Sequence, residues 1–400
     1  MISMKFNRSH YIENINKGMI GQEVILGGWV EDLRKMGKMT FLTLRDATGI
    51  TQIILTDDVM KSIDDITRQS VVRVTGKIQD TKARDFECEI KASEINVLAR
   101  AVHPLPIDPI GRLESHIDNR LNSRALDMRN QKTASIFKIR HHVLASLRQT
   151  FLEKKFTEIT TPKIIGSASE GGANLFSLDY FGKQAYLAQS PQLYKEQMTI
   201  GLERVFEIAS FYRAEKSHTG RHLSEFTSVD MEAAFMDYSD VMDVLEDLVL
   251  NTFKHVAENC QDEQEIIGNQ ITIPDRPFKK ITYSDALDEL NKKDVKLEFG
   301  DDLLDSHLRI IGENHTGFYF LTDWPIKLKP FYIMENQDNP EISESFDLQF
   351  GYLELSSGGT RLHNPEKIKN RLAEQGLDPA KFSEHLQAFD WGMPPHAGWG

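Results

Sequence analysis

Two cysteines, Cys88 and Cys260, are all that 400 residues contain, too few and too far apart for a disulfide framework or a local zinc knuckle. No run of about 18 apolar residues occurs, and the opening MISMKFNRSHYIENI has no apolar signal core. A reducing cytoplasm is the expected setting, with neither secretion nor a membrane span. Internal repeats and low-complexity tracts are missing as well, which excludes solenoids and biased disordered tails. Positive charge is in short supply: 47 lysines and arginines against 60 acidic residues leave a formal net charge of −13. Bulk charge therefore cannot drive nucleic-acid binding, and any polyanion has to be met by a local patch. The span 112–155 is one candidate, with Arg112, Arg120, Arg124, Arg129, Lys132, Lys138, Arg140, Arg148, Lys154 and Lys155.

The length suits two domains or more. Residues 20–100 hold five short β-rich runs punctuated by glycine: EVILGGWVEDL, MTFLTLRD, ITQIILT, SVVRVTGKI and CEIKASEINVL. That spacing predicts a small barrel of the oligonucleotide-binding type. Strand alternation puts Leu42 and Leu44 on one face and Phe41, Thr43 and Arg45 on the other. Phe41, with Gln52 and Glu89 on later strands, has the chemistry to stack on and hydrogen-bond a single-stranded base. Plugging the barrel against a helix is the equal alternative for Phe41. The proline-bearing AVHPLPIDPIG and the helical RLNSRALDMRN then read as a connector. The boundaries are a barrel over 1–102, a hinge over 103–130 and a larger domain over 131–400.

In the larger domain, apolar residues at Ile136, Ile139, Val143, Leu147 and Phe151 predict an amphipathic helix. FTEITTPKI follows as a strand that Pro162 confines to an edge or a break, and helix plus edge strand suit a subunit interface. EGGANLF (170–176) reads as a glycine-bearing loop, and AYLAQSPQLYKEQM places Gln192 and Lys195 at a helix opening just past a strand end. Residues of about 237–320 read as an acidic, helical accessory insertion without chemistry of its own.

FYRAEKSHTGRHLSEF (211–226) concentrates charge in what reads as a hairpin. Phe211, Arg213 and Glu215 share one face of its first arm, while Phe226, Ser228, Asp230 and Glu232 share one face of the second. Lys216 to Leu223 reads as a mobile basic tip. A solvated ribbon explains an isolated charge run. Acids and bases interleaved with an aromatic on one face fit a nucleotide better: a guanidinium for phosphate, a carboxylate for an exocyclic amine, a ring for the base. Farther on, SFDLQFGYLELSSGGTRLHN pairs Glu354 with Ser356 on one face. Its SSGG is expected to break the strand so that a ligand reaches the backbone, with Arg361 emerging beyond.

FYRAEKSHTGRHLSEFTSVDMEAAF resembles the second signature motif of class II aminoacyl-tRNA synthetases, and FTEITTPKI with Pro162 resembles the first. SEGGANLF, LAQSPQLYKE and SSGGTRLHN are similar to the aspartyl-tRNA synthetases of archaeal and eukaryotic type, and the likeness runs over essentially the whole chain. It implies an α+β protein: an N-terminal five-stranded OB-type β-barrel that reads a tRNA anticodon, then a class II core of antiparallel sheet flanked by helices. It also implies a homodimer with Pro162 at the interface, and ATP with Mg²⁺. Carried over, Arg213 meets the α-phosphate, Glu215 the adenine amine and Phe226 the base face. Arg221, His222 and Leu223 complete the ATP site. Glu354 and Ser357 fall at magnesium and phosphate positions. Lys195, Asp230, Ser357 and Arg361 surround the L-aspartate side chain, with Ser169, Glu170 and Gln192 near its α-amino group. Phe41, Gln52 and Glu89 match anticodon-reading positions, which favours stacking for Phe41.

The implied activity is ATP-dependent attachment of aspartate to tRNA(Asp), with tRNA(Asn) as a second acceptor to be tested. Glu31 and Lys82 lie near positions that set this choice; Glu31 matches neither pattern and Lys82 leans toward strict discrimination. The rivals are an asparagine–tRNA ligase, disfavoured by Lys195 and the QSPQ context, and a silent paralogue that binds tRNA or a partner. The sequence ends in PPHAGWG, where the resemblance implies a third motif with an arginine for the γ-phosphate, so a truncated copy is expected.

Overall fold

Alternating apolar and polar residues along the first hundred positions resolve into five strands: β1 (Glu23–Met36), β2 (Met39–Arg45), β3 (Ile50–Thr56), β4 (Val71–Gln79) and β5 (Glu89–Ala99). The computed structural model describes residues 7–61, 66–166, 175–214 and 223–400, and its chain divides into two units, Met1–Ala134 and Ser135–Gly400. In the first unit the strands close into a barrel in the order β1-β2-β3-β5-β4, with β3 and β5 parallel. Val24, Leu26, Leu42, Leu44, Ile53, Val72, Val74 and Ile90 fill its interior. Each fully buried side chain of this kind contributes about 1.5–3 kcal/mol, which is why the alternation fixes the register.

The expected hinge, 103–130, belongs to this first unit. His103 bonds the Arg68 carbonyl, Arg112 bonds Asp32 at 2.9 Å, and the Arg129 guanidinium lies 5.0 Å from the Trp29 ring centroid. The basic span 112–155 is not a free cationic patch. Arg120 and Arg124 both hold Asp127, Lys138 holds Glu263, Arg148 holds Glu158 and Lys154 holds Asp247. Clustering in sequence did not become clustered surface charge because carboxylates lie within reach of these cations.

The second unit is built on β6 (Thr157–Glu158), β7 (Ile164–Ile165), β8 (Ser177–Tyr180), β9 (Lys183–Leu187), β10 (Arg204–Tyr212), β11 (Glu225–Ala234), β12 (Lys279–Thr282), β13 (Phe318–Thr322), β14 (Ser345–Phe350), β15 (Leu353–Thr360) and β16 (His396–Trp399). Among the described residues an eight-stranded sheet runs β12-β13-β14-β15-β16-β11-β10-β6, antiparallel except at its two edges, and β7-β9-β8 form a small sheet. β6 is an edge strand, as Pro162 predicted. The helix Tyr238–Asn259 begins at a capping box between Asp237 and Asp240. It lays Val241, Leu245 and Leu248 against Phe206, Met231, Phe320, Phe346 and Trp399. The stretch 237–320 is therefore no accessory insertion: it supplies a helix packed on the central sheet and two strands of it, because its apolar stripe needs that surface.

SSGG does not break its strand either. Gly358 and Gly359 run through β15, and a Cβ on Gly358 would come within 2.5 Å of the Trp399 Cβ. The glycines admit a neighbouring strand rather than interrupt their own.

Candidate active site

Helix Gln192–Leu202 opens just after β9, as its sequence suggested, and plants Gln192 and Lys195 in the unit's interior. Lys195, 2% exposed, donates to Asp230 Oδ1 at 3.1 Å and to the Trp399 carbonyl at 3.0 Å. Asp230 also accepts the Ser228 hydroxyl at 2.5 Å. Parity along β11 holds: Ser228 and Asp230 line a pocket of about 210 Å³ while Met231 goes to the core. The same pocket takes Gln192, Lys195, Arg213, Lys329, Tyr332, Ser357 and Arg361.

Arg361 emerges just past β15, 2% exposed, and donates through Nε and Nη2 to Glu232 at 3.0 and 3.3 Å. Glu232 sits 3.7 Å from Lys195 Nζ as well. Sequence reading placed Glu232 on the correct face and gave it no role; in the fold it holds two buried cations. The signal available was parity with Asp230, but the partners lie 37 and 129 residues away.

Beside this pocket, β10 and β11 pair Phe211 with Phe226. Phe211 is buried, whereas the Arg213 guanidinium lies over the Phe226 ring, 5.2 Å from its centroid. Both line a cleft of about 520 Å³ that also receives Glu354, Ser356 and Ser357. Leu223 is 65% exposed and lines neither cavity. Ser169, Glu170, Glu215, Arg221, His222 and most of the expected basic tip lie outside the described residues.

Glu354 and Ser356 do line the same cleft, but a β-bulge lies between them. Leu348 faces Ser356 while Gln349 faces Glu354, so Leu355 is left over. Ser356 turns its hydroxyl to the Gly400 carbonyl at 2.9 Å, and Ser357 reaches both cavities. Glu354 touches solvent at the cleft, yet protein atoms crowd it; that desolvation and the charge of Asp347 push its carboxyl up to about 7, against Lys329 and Arg213. Asp347, gripped by Lys329 at 3.1 and 3.2 Å, went unassigned in the sequence. Glu354, Ser357 and Asp347 are an all-oxygen set in which the Asp347 charge disfavours that of Glu354, and a hard cation such as Mg²⁺ would relieve that repulsion. No group of three His, Cys, Asp or Glu among the described residues is arranged to hold a metal alone. Phosphate oxygens and water would complete such a shell, the usual arrangement for this ion.

In the barrel unit, Leu42 and Leu44 point inward and Phe41 stands half-buried on the outer face. On that face Glu89 is buried and accepts from Gln52 at 2.6 Å, Gln79 at 2.9 Å and Thr81 at 3.0 Å. An anionic carboxylate only accepts, so Gln52 is fixed with its carbonyl oxygen turned away from Glu89. Glu31 lies 3.3 Å from Arg45; burial pushes its carboxyl up against that pull. Lys82 is exposed in the connection after β4.

An arginine–phenylalanine hairpin beside acidic cleft residues, adjoining a pocket lined by cations, has the chemistry that a nucleotide and a small anion require, and the barrel has the fold of a nucleic-acid-binding module. Residues 116–400 match class II tRNA synthetases (D, K and N), and residues 24–98 match an OB-fold nucleic acid binding domain. The chain belongs to these class II synthetases of the D, K and N group. It is 43% identical over 99% of its length, and 92% of the relative's, to the aspartate–tRNA(Asp/Asn) ligase of Methanocaldococcus jannaschii. Asparaginyl-tRNA synthetase from Pyrococcus horikoshii complexed with asparaginyl-adenylate superposes with a TM-score of 0.90 at 31% identity, covering 99% of this chain and 93% of that one. Aspartyl-tRNA synthetase from Entamoeba histolytica gives 0.84 at 29% identity, over 98% and 86%.

Proposed function

We propose that the chain is an aspartate–tRNA ligase, which activates L-aspartate with ATP to aspartyl-adenylate and passes the aspartyl group to the 3′ end of tRNA(Asp). The lining of the 210 Å³ pocket carries this reading: Lys195, Arg213, Lys329 and Arg361 line it with Asp230 as the lining acid, while Glu232 and Asp347 hold three of these cations from outside that lining. With Nε and Nη2 fixed on Glu232, the remaining edge of Arg361 serves the pocket as a fork for a carboxylate. An asparagine side chain would set its N–H donors against those of the guanidinium.

In the first step an oxygen of the substrate's α-carboxylate bonds to the α-phosphorus of ATP while the bond to pyrophosphate breaks. The nucleophile is already an anion, so no general base is required. The protein's work is to bring two anions together and neutralise the charge. In this reading Arg213 meets the α-phosphate, Phe226 the base, and Gln192 the substrate's ammonium group. Glu354 and Ser357, with Asp347 at hand, would hold Mg²⁺, which when bound neutralises phosphate oxygens. Ser169 and Glu170 at the amino group, and Glu215, Arg221 and His222 at the nucleotide, are proposed from the sequence alone.

Phe41, Gln52 and Glu89 are proposed to read anticodon bases by stacking and hydrogen bonding. Ile136, Phe137 and Leu152 on helix Gln131–Glu153 are exposed, as is Pro162 just past the edge strand β6; these support a homodimer. No helix among the described residues is long and apolar enough to cross a membrane, and the proposed setting is the cytoplasm.

Pyrophosphate exchange into ATP with aspartate, asparagine and lysine in parallel tests the assignment. Exchange with aspartate alone is expected, and equal exchange with asparagine would refute the side-chain reading. Charging tRNA(Asp) and tRNA(Asn) transcripts side by side then measures acceptor choice, on which Lys82 favours tRNA(Asp).

A further inference from the structure

One turn below the amino-acid pocket, helix Gln192–Leu202 carries a carboxylate that the reaction above leaves unused. Glu196 is fully buried, and its Oε1 accepts the Gln192 side-chain amide at 2.6 Å. Its Oε2 faces the Nε2 atoms of His385 and His396, each 3.5 Å away and both histidines buried. None of these three facing atoms has a hydrogen bond elsewhere in the structure. A metal does not explain the cluster, since no three-ligand group among the described residues is arranged to hold one. Shared protons do. The His396 Nδ1–H donates to the Pro394 carbonyl at 2.8 Å, which leaves Nε2 for Glu196. Burial pushes the Glu196 carboxyl up, but the His396 hydrogen bond and the charges of His385, His396 and Arg361 outweigh it and hold it near about 2.

A carboxylate in that state can only accept, so the Gln192 amide must give it N–H and turn its carbonyl oxygen the other way. Gln192 lines the pocket, so that oxygen is an acceptor available to a cationic group there. The cluster is also tied to a second residue of the pocket lining: the Arg361 backbone N–H donates to the His396 carbonyl at 2.9 Å. We propose that Glu196 is a positioning residue for the substrate's ammonium group, fixing the Gln192 amide with its oxygen toward the amino-acid pocket. This rests on the aspartate reading of that pocket.

The test uses the full chain and Glu196→Gln, which keeps the shape but can donate as well as accept and so removes the fixed orientation. Calorimetric binding is measured for L-aspartate and for succinate, a dicarboxylate without the ammonium group. Aspartate should bind about tenfold or more weakly, the cost of one hydrogen bond to a charged group, with succinate unchanged. In a Gln192→Ala background the Glu196 substitution should add nothing further. Equal weakening of both ligands, or no change in either, overturns the proposal while the aspartate reading stands. A wild-type chain that binds neither ligand overturns both. If melting shows Glu196→Gln unfolded, Gln192→Ala carries the test alone: it must weaken aspartate and spare succinate, and any other pattern overturns the proposal.

Discussion

Replacing Glu232 by glutamine should be the most damaging single change at the pocket that leaves side-chain volume intact. Its carboxylate is fully buried, with Oε1 3.0 Å from Arg361 Nε and Oε2 3.3 Å from Nη2 and 3.7 Å from Lys195 Nζ. Glutamine keeps one acceptor, turns an N–H₂ toward the guanidinium and removes the negative charge that, among the described residues, both cations share. Removing one partner of a buried ion pair costs about 3–5 kcal/mol, because the remaining charge is left uncompensated. For a unit of this size each kcal/mol lowers the melting temperature by roughly 2–4 °C, so a fall of roughly 6–20 °C is expected. Differential scanning calorimetry, run beside aspartate-dependent pyrophosphate exchange, measures both consequences: a lower melting point, and a raised KM for aspartate as Arg361 loses its orientation. A variant melting within about 2 °C of wild type, with unchanged KM, would refute the idea that Glu232 organises the two cations.

Arg361→Leu should abolish aspartate-dependent exchange while leaving tRNA affinity, measured by filter binding, nearly intact; a large loss of tRNA binding would remove Arg361 from the amino-acid pocket. Phe41→Ala should weaken tRNA charging by about 1–3 kcal/mol, the size of one base-stacking contact, and unchanged kcat/KM for tRNA would show that Phe41 reads nothing. The histidines at Glu196 predict opposite pH slopes in chemical denaturation. Burial lowers the His396 pKa but contacts with Glu196 and Glu232 overcome it and raise it above 6.5, so its contribution is complete below that pH and lost as pH rises through the raised value. Burial lowers the His385 pKa, so its contribution is present above 6.5 and lost as pH falls. His396→Gln should flatten only the alkaline limb, and an unaltered alkaline slope would count against its pairing with Glu196.

The strands of the barrel and the arms of the charged hairpin were legible because alternation is a period-2 signal carried by near neighbours. It put Leu42 and Leu44 inside, Phe41 outside, and Ser228 and Asp230 together, while the end of β9 and the opening of the next helix located Gln192 and Lys195. What the tertiary structure alone decided were encounters between distant segments. The bulge at Leu355 brought Ser357 into the cleft beside Ser356, because a ladder with one extra residue no longer follows parity. Residues 237–320 looked detachable, yet their apolar stripe packs on strands that precede and follow them. Most of the cations of 112–155 found carboxylates, one of them 125 residues away, and ceased to be a patch. Glu196 meets His385 and His396 only because the helix after β9 packs beside the approach to β16. Local periodicity says which face a side chain takes; which opposite charge waits there depends on how faraway chain returns, and no short stretch of sequence contains that information.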